Sequence, residues 1–144
     1  MLVSDLLRRK GDFVATVSPT TTVSALLATL GEHNIGAAVI TSPKGALAGI
    51  ASERDVVRAL AARGADVLEA DVTEIMSRNV TTASPEDHID SLMRAMTEQR
   101  IRHVPVVADG RLLGIVSIGD VVKIHVDELE SERTSLLGYI SSAG

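Results

Sequence analysis

The chain contains one pattern twice, and that duplication constrains its fold more than any other feature. "GIASERDVV" (Gly49 to Val57) and "GIVSIGDVV" (Gly114 to Val122) share the frame G-I-x-S-x-x-D-V-V. Upstream, a shift of 66 positions lays Val14, Thr16, Ser18 and Pro19 on Val80, Thr82, Ser84 and Pro85. The same shift sets Val23, Leu26, Leu27 and Leu30 on Ile89, Leu92, Met93 and Met96, and Ile35 on Ile101. One residue is lost between "SPKG" and "ADG", and from there the shift is 65. Even the leader recurs, as "VSDLL" at Val3 and "VTEIM" at Val72. Each copy is then one supersecondary unit, and two copies bury together what neither buries alone.

Within each copy the pattern reads β-α-β-β-α. The short strands "VATV" and "VTTA" come first. An apolar stripe at i, i+3, i+4 and i+7 then marks an amphipathic helix. The strands "GAAVIT" and "RHVPVV" lead through Gly-containing turns into "ALAGIAS" and "RLLGIVS", and a second helix follows. The expected fold class is α/β (α+β), with two such repeats related by a pseudo-two-fold axis and two equivalent clefts between them. The expected division is 1–70 for the first repeat, 71–125 for the second and 126–144 for a helical extension.

Composition narrows the function classes. With 144 residues and no cysteine, the chain is expected to fold by packing alone, without disulfides or thiolate metal sites, and it suits a reducing cytoplasm. Its apolar runs are strand-sized, so neither a membrane span nor a signal peptide is expected. A net charge of −5, with Phe13 and Tyr139 as the only aromatics, argues against a nucleic-acid partner. The histidines His33, His88, His103 and His125 lack metal-ligand spacing, and G-x-S-x-x-D lacks the second glycine of a nucleophile elbow. No metal and no enzymatic activity are expected.

The repeated motif admits two readings. Ser52 and Ser117 fit as helix N-caps, with Asp55 and Asp120 closing capping boxes. The same helix ends also suit a nucleotide: backbone N–H groups and the serine for a phosphate, the aspartate for ribose hydroxyls. Gly49 and Gly114, inside strands, ask for something that approaches the backbone closely. Pro105 forfeits a ladder donor, which places its strand at an edge or where the backbone is free to meet a ligand. Arg54 and Arg58 near the first aspartate, Lys123 near the second, and Arg102 with His103 supply cations for phosphates.

Taken together, the duplicated unit, the "RHVPVV" strand and the "GIVSIGD" turn resemble a tandem pair of cystathionine β-synthase (CBS) domains, the Bateman module, over residues 1 to 125. The resemblance implies that Asp55 with Ser52, and Asp120 with Ser117, hold ribose and phosphate. It assigns Thr16 and Thr82 to the same sites, with Ala38 to Ile40 and Val104, Pro105 and Val106 as the backbone around the adenine. It implies composite clefts, Asp120 shared with the Thr16 region and Asp55 with the Thr82 region. The halves differ, because "NIGAAVI" lacks the basic pair and proline of "RIRHVPVV" and because "ERD" adds Arg54 where "IGD" has none.

After Asp120 a helix is expected to run to about Ser142. Val122, Val126, Leu129, Arg133, Leu136 and Ile140 form its seam, which suits either packing on its own module or a dimer contact. The resulting expectation is a non-catalytic, cytoplasmic, homodimeric sensor. It binds an adenine nucleotide as regulatory ligand, AMP foremost with ADP, ATP or NAD as alternatives, and signals to an unidentified effector protein. The rival is a structural dimerisation module without ligand.

Overall fold

A computed structural model describes residues 1–143. The leader forms α1 (Val3–Lys10), and the first repeat continues through β1 (Thr16–Val17), α2 (Val23–His33), β2 (Ala37–Thr41), β3 (Leu47–Ser52) and α3 (Glu53–Arg63). Two short 3-10 turns, Ala65–Glu69 and Val72–Glu74, lead into the second repeat. That repeat is built from α4 (Ile89–Gln99), β4 (His103–Ala108), β5 (Arg111–Ser117) and α5 (Ile118–Ala143). The apolar stripes fold as the spacing predicts, with Val23, Leu26 and Leu30 buried on α2 and Ile89, Leu92 and Met96 on α4.

In the first repeat β1 runs parallel to β2 and β3 antiparallel to it, with Val39 opposite Ile50. In the second, β4 and β5 pair antiparallel with Pro105 opposite Ile115. The strand expected at "VTTA" is reduced to one parallel bridge, Ala83 to Val106. Proline chemistry explains the loss. Val39 donates its N–H to the Ala15 carbonyl at 2.9 Å, and the residue equivalent to Val39 is Pro105, which has no N–H to give. Pro105 keeps only its carbonyl bond, accepting from the Ala83 N–H at 2.9 Å. The proline therefore lies at a thinly paired edge, as its chemistry required.

Each repeat has its own aliphatic core, and the leaders are exchanged between them. Val3 and Leu6 of α1 are buried with Ile89, Leu92, Val104 and Val116 of the second repeat. Val72, from the leader of the second repeat, is buried with Val23, Leu26, Ile40 and Val56 of the first. Reciprocal backbone pairing fastens the exchange. Val3 donates to the Asp87 carbonyl and Val72 to the Thr21 carbonyl, both at 2.8 Å, and isolated antiparallel bridges join Leu2 to His88 and Asp71 to Thr22. These are the same contacts under the repeat operation. The cores thus cross the sequence division at residue 70.

The terminal helix settles one alternative. Only Val121 and Ile124 of α5 are buried, and Val126 to Ala143 are exposed throughout. Beyond Ile124 the seam does not pack on its own module, because the helix has run past the body that could cover it. No helix among the described residues is long and apolar enough to cross a membrane.

Candidate functional site

Both repeated motifs end a strand and start a helix. Ser52 caps α3: the Asp55 N–H donates to Ser52 Oγ at 3.3 Å, and the Ser52 N–H donates to Asp55 Oδ2 at 2.8 Å. The Ser52 hydroxyl also donates to Asp55 Oδ2, at 3.1 Å. At α5 the Asp120 N–H donates to Ser117 Oγ at 3.2 Å and the Ser117 N–H to Asp120 Oδ2 at 2.8 Å. These are capping boxes. In each, the carboxylate uses Oδ2, so Oδ1 keeps its acceptor capacity, and capping and ligand binding are compatible on one side chain.

A cavity of about 370 Å³ opens over the first motif, large enough for a small-molecule ligand. The first repeat contributes Gly36, Ile50, Ser52, Glu53, Arg54, Asp55 and Arg58 to its lining. The second contributes Ser77 and the run Gln99 to His103. Ser52, Arg54, Asp55, Arg102 and His103, singled out in the sequence, are brought together here.

Thr82 does not line this cleft. It is exposed beside the Ala83 bridge, and the second repeat reaches Asp55 through Ser77 and the turn after α4 instead. Thr16 is exposed on β1. The side chains of Ala38, Ile40, Val104 and Val106 are fully buried in the two cores, and Pro105 is buried with them, so only their backbones remain to face a ligand.

Around Asp120 the arrangement differs. Lys10, at the end of α1, donates to Asp120 Oδ2 at 2.7 Å and to the Ile115 carbonyl at 2.6 Å. Burial alone would raise the Asp120 pKa, but the bonds from Lys10 and the Ser117 N–H outweigh it and hold the carboxyl below its ordinary 3.8. His103, on the neighbouring strand, is pushed below its ordinary 6.5 by burial, against the opposing pull of Asp120 and Glu53. It is therefore predominantly neutral near pH 7.

The two strand glycines have a structural cause. A Cβ on Gly49 would stand 2.7 Å from Met76 Sδ and 2.8 Å from the Ser77 carbonyl oxygen, and one on Gly114 would stand 2.8 Å from Leu7 Cδ2. What approaches these backbones is the exchanged leader, so the glycines do not themselves point to a ligand.

Several cleft residues carry no motif. Lys10 arrives by the leader exchange, and Ser77 by an antiparallel bridge with Ile50. Arg100 ends α4 in the left-handed conformation, φ 54°, where the first repeat ends α2 with Asn34 at φ 52°. That mismatch is legible in the repeat alignment, since asparagine suits this backbone and arginine does not.

Comparison with known proteins agrees with this architecture. The mitochondrial CBS domain-containing protein CBSX3 of Arabidopsis thaliana is 39% identical over 123 residues, 83% of this chain, and the match spans 60% of that relative's length. The CBS domain-containing protein YhcV of Bacillus subtilis is 31% identical, over 83% of this chain and 81% of the relative. Among solved structures, the CBS-domain protein ATU1752 from Agrobacterium tumefaciens superposes with a TM-score of 0.85 at 46% identity, covering 87% of this chain and 99% of that one. The CBS domain pair of protein MJ0100, solved with 5′-methylthioadenosine and S-adenosyl-L-methionine, gives 0.80 at 30% identity, covering 89% and 98%. PAE2072 from Pyrobaculum aerophilum, complexed with AMP, gives 0.74 at 29%, covering 83% and 89%. The CBS domain profile matches residues 3–62 and 72–127, each span taking in one leader, one hairpin and one capped S-x-x-D motif. By fold, by repeat and by sequence, the chain belongs to the CBS domain family.

Proposed function

We propose that the chain is a non-catalytic regulatory module that takes an adenine nucleotide into the Asp55 cleft and reports its occupancy to another protein. The observation that carries the reading is the composite cavity. A helix N-terminus, a serine, a carboxylate with one oxygen uncommitted to capping, and basic side chains from both repeats meet around it. A ligand seated there touches both repeats at once, so its affinity depends on how they sit together. The AMP complex of PAE2072 and the adenosyl complex of MJ0100, both of the same fold, support an adenosine-type ligand. The exposed seam of α5, with Val122, Val126, Leu129, Leu136 and Ile140, supports a homodimer in which the change is displayed to an effector protein.

A structural scaffold is the second reading, favoured by the fact that both S-x-x-D motifs already serve as capping boxes. Thermal unfolding with millimolar AMP, ADP, ATP and NAD separates the two, because a ligand at 100 times its dissociation constant adds about 2.7 kcal/mol of stability. A shift with one of these nucleotides that is abolished in Asp55→Ala supports the sensor. No shift with any of them supports the scaffold. Full affinity retained by Asp55→Ala removes the ribose role from Asp55.

A further inference from the structure

Four of the chain's eleven arginines line the Asp55 cleft, although the protein as a whole carries a net charge of −5. Arg54 and Arg58 lie one turn apart on α3, and Arg100 and Arg102 flank Ile101 in the turn that leaves α4, so each repeat supplies one pair. The cleft answers them with only two carboxylates, Glu53 and Asp55. Among the described residues the ion pairs are Arg8 with Asp5, Lys10 with Asp120, and Arg63 with Glu74, so none of the four is neutralised by a carboxylate.

The cluster belongs to one cleft only. Under the repeat operation Arg54, Arg58, Arg100 and Arg102 correspond to Gly119, Lys123, Asn34 and Gly36, so only Lys123 is charged among the four equivalent positions. Conformation points the same way. Arg100 occupies the left-handed position that closes α4, where the other repeat has asparagine, a residue better suited to that backbone.

We infer that the Asp55 cleft selects the polyphosphate chain of adenosine di- or triphosphate over a monophosphate or a cationic adenosine, with Arg54, Arg58, Arg100 and Arg102 as the specificity-determining residues. The inference rests on the adenine-nucleotide reading above and narrows it. A phosphate monoester carries about two negative charges near neutral pH, and each further phosphate adds roughly one, so only a polyphosphate engages both arginine pairs. AMP brings only about two negative charges to four guanidinium groups. An adenosine with a sulfonium centre brings a further positive charge into the same field.

Calorimetric titration of the intact chain with AMP, ADP, ATP and S-adenosylmethionine at one fixed ionic strength, without divalent cations, tests this. ATP or ADP is expected to bind at least about tenfold more tightly than AMP or S-adenosylmethionine. In Arg100→Gln/Arg102→Gln that margin is expected to shrink to within about twofold, with AMP weakened less than about threefold. The pair Arg9→Gln/Arg111→Gln removes the same charge outside the cleft lining and is expected to keep the margin. Equal or tighter binding of AMP or S-adenosylmethionine, or a margin that survives in the cleft variant, overturns the inference and leaves the sensor reading standing. A margin lost equally in the control reduces the effect to overall charge and also overturns it. No binding by any adenine nucleotide sinks both.

Discussion

Lys10 and Asp120, 110 positions apart in sequence, meet as a partly buried ion pair in which Nζ lies 2.7 Å from Oδ2. The first cleft has no counterpart, because the leader residue equivalent to Lys10 is Asn79 and Asp55 is bonded only by its own capping box. The Lys10 ammonium neutralises the Asp120 carboxylate from beside Oδ2, whereas no cation is bonded to Asp55. The two repeated motifs of one duplicated fold are thereby unequal.

Replacing Lys10 with methionine tests that inequality. The Asp120 pKa is held below 3.8, so its stabilisation is fully present above that value and is lost as pH falls through the lowered one. In Lys10→Met the carboxyl is expected to titrate closer to 3.8, and the loss of stability at low pH becomes shallower. At pH 7 the variant is expected to lose about 0.5–1 kcal/mol, a modest value because roughly a quarter of each side chain remains in solvent. Carbon-detected titration of Asp120 and urea unfolding check both. If nucleotide binds the wild type once per chain, Lys10→Met is expected to admit a second; an unchanged stoichiometry would show that the ion pair does not control access.

The strand glycines give an ordering. Gly49→Ala collides with the Ser77 carbonyl, which is fixed by accepting from the Ile50 N–H at 3.0 Å, as well as with Met76. Gly114→Ala meets only the flexible end of Leu7. The first substitution is expected to cost roughly 2–3 kcal/mol and the second about 1 kcal/mol or less, read as denaturation midpoints. Equal costs would mean that the leader does not hold the strand as described.

His103 should impose a pH dependence near neutrality. Its folded pKa lies below the unfolded 6.5, so its contribution is complete above 6.5 and is lost as pH falls from there through the lowered value. Asp120 and Glu53 moderate the shift, while Lys10 and Arg102 deepen it. Stability measured from pH 8 to pH 5 is expected to fall less in His103→Gln than in the wild type. An identical slope, or a histidine resonance titrating above 6.5, would contradict the burial of this ring.

For the terminal helix, Leu129→Glu with Leu136→Glu is expected to halve the particle mass in sedimentation equilibrium. Both side chains are more than half exposed and lie outside both cores, so the melting temperature of the body should stay within a few degrees at matched subunit concentration. A wild-type chain that sediments as a monomer at high micromolar concentration removes the seam as an interface.

Much of the fold was legible because the signals were local. The stripe Val23, Leu26 and Leu30 with its echo Ile89, Leu92 and Met96, and the two S-x-x-D motifs, depend on neighbours within four residues and behave as the chemistry of such short ranges requires. The "VTTA" strand was misjudged because its fate depends on a donor missing from Pro105, more than twenty positions away. The meaning of Gly49 and Gly114 also depends on distant residues. A close approach to the backbone was correctly implied, but only packing reveals that Met76 and Leu7 make it.

By itself the sequence determined that two like units exist, where their helices begin, and that each begins with a serine and an aspartate in reach of one another. Only the tertiary structure decided which aspartate faces an open cleft lined by arginines and which is held by a lysine. The leaders cross between repeats through the bridges Leu2 to His88 and Asp71 to Thr22, and one leader is a full helix ending in Lys10 where the other is a single turn. That difference costs little in the pattern of apolar residues, but a charge moved across the molecule decides which carboxylate is paired with an ammonium.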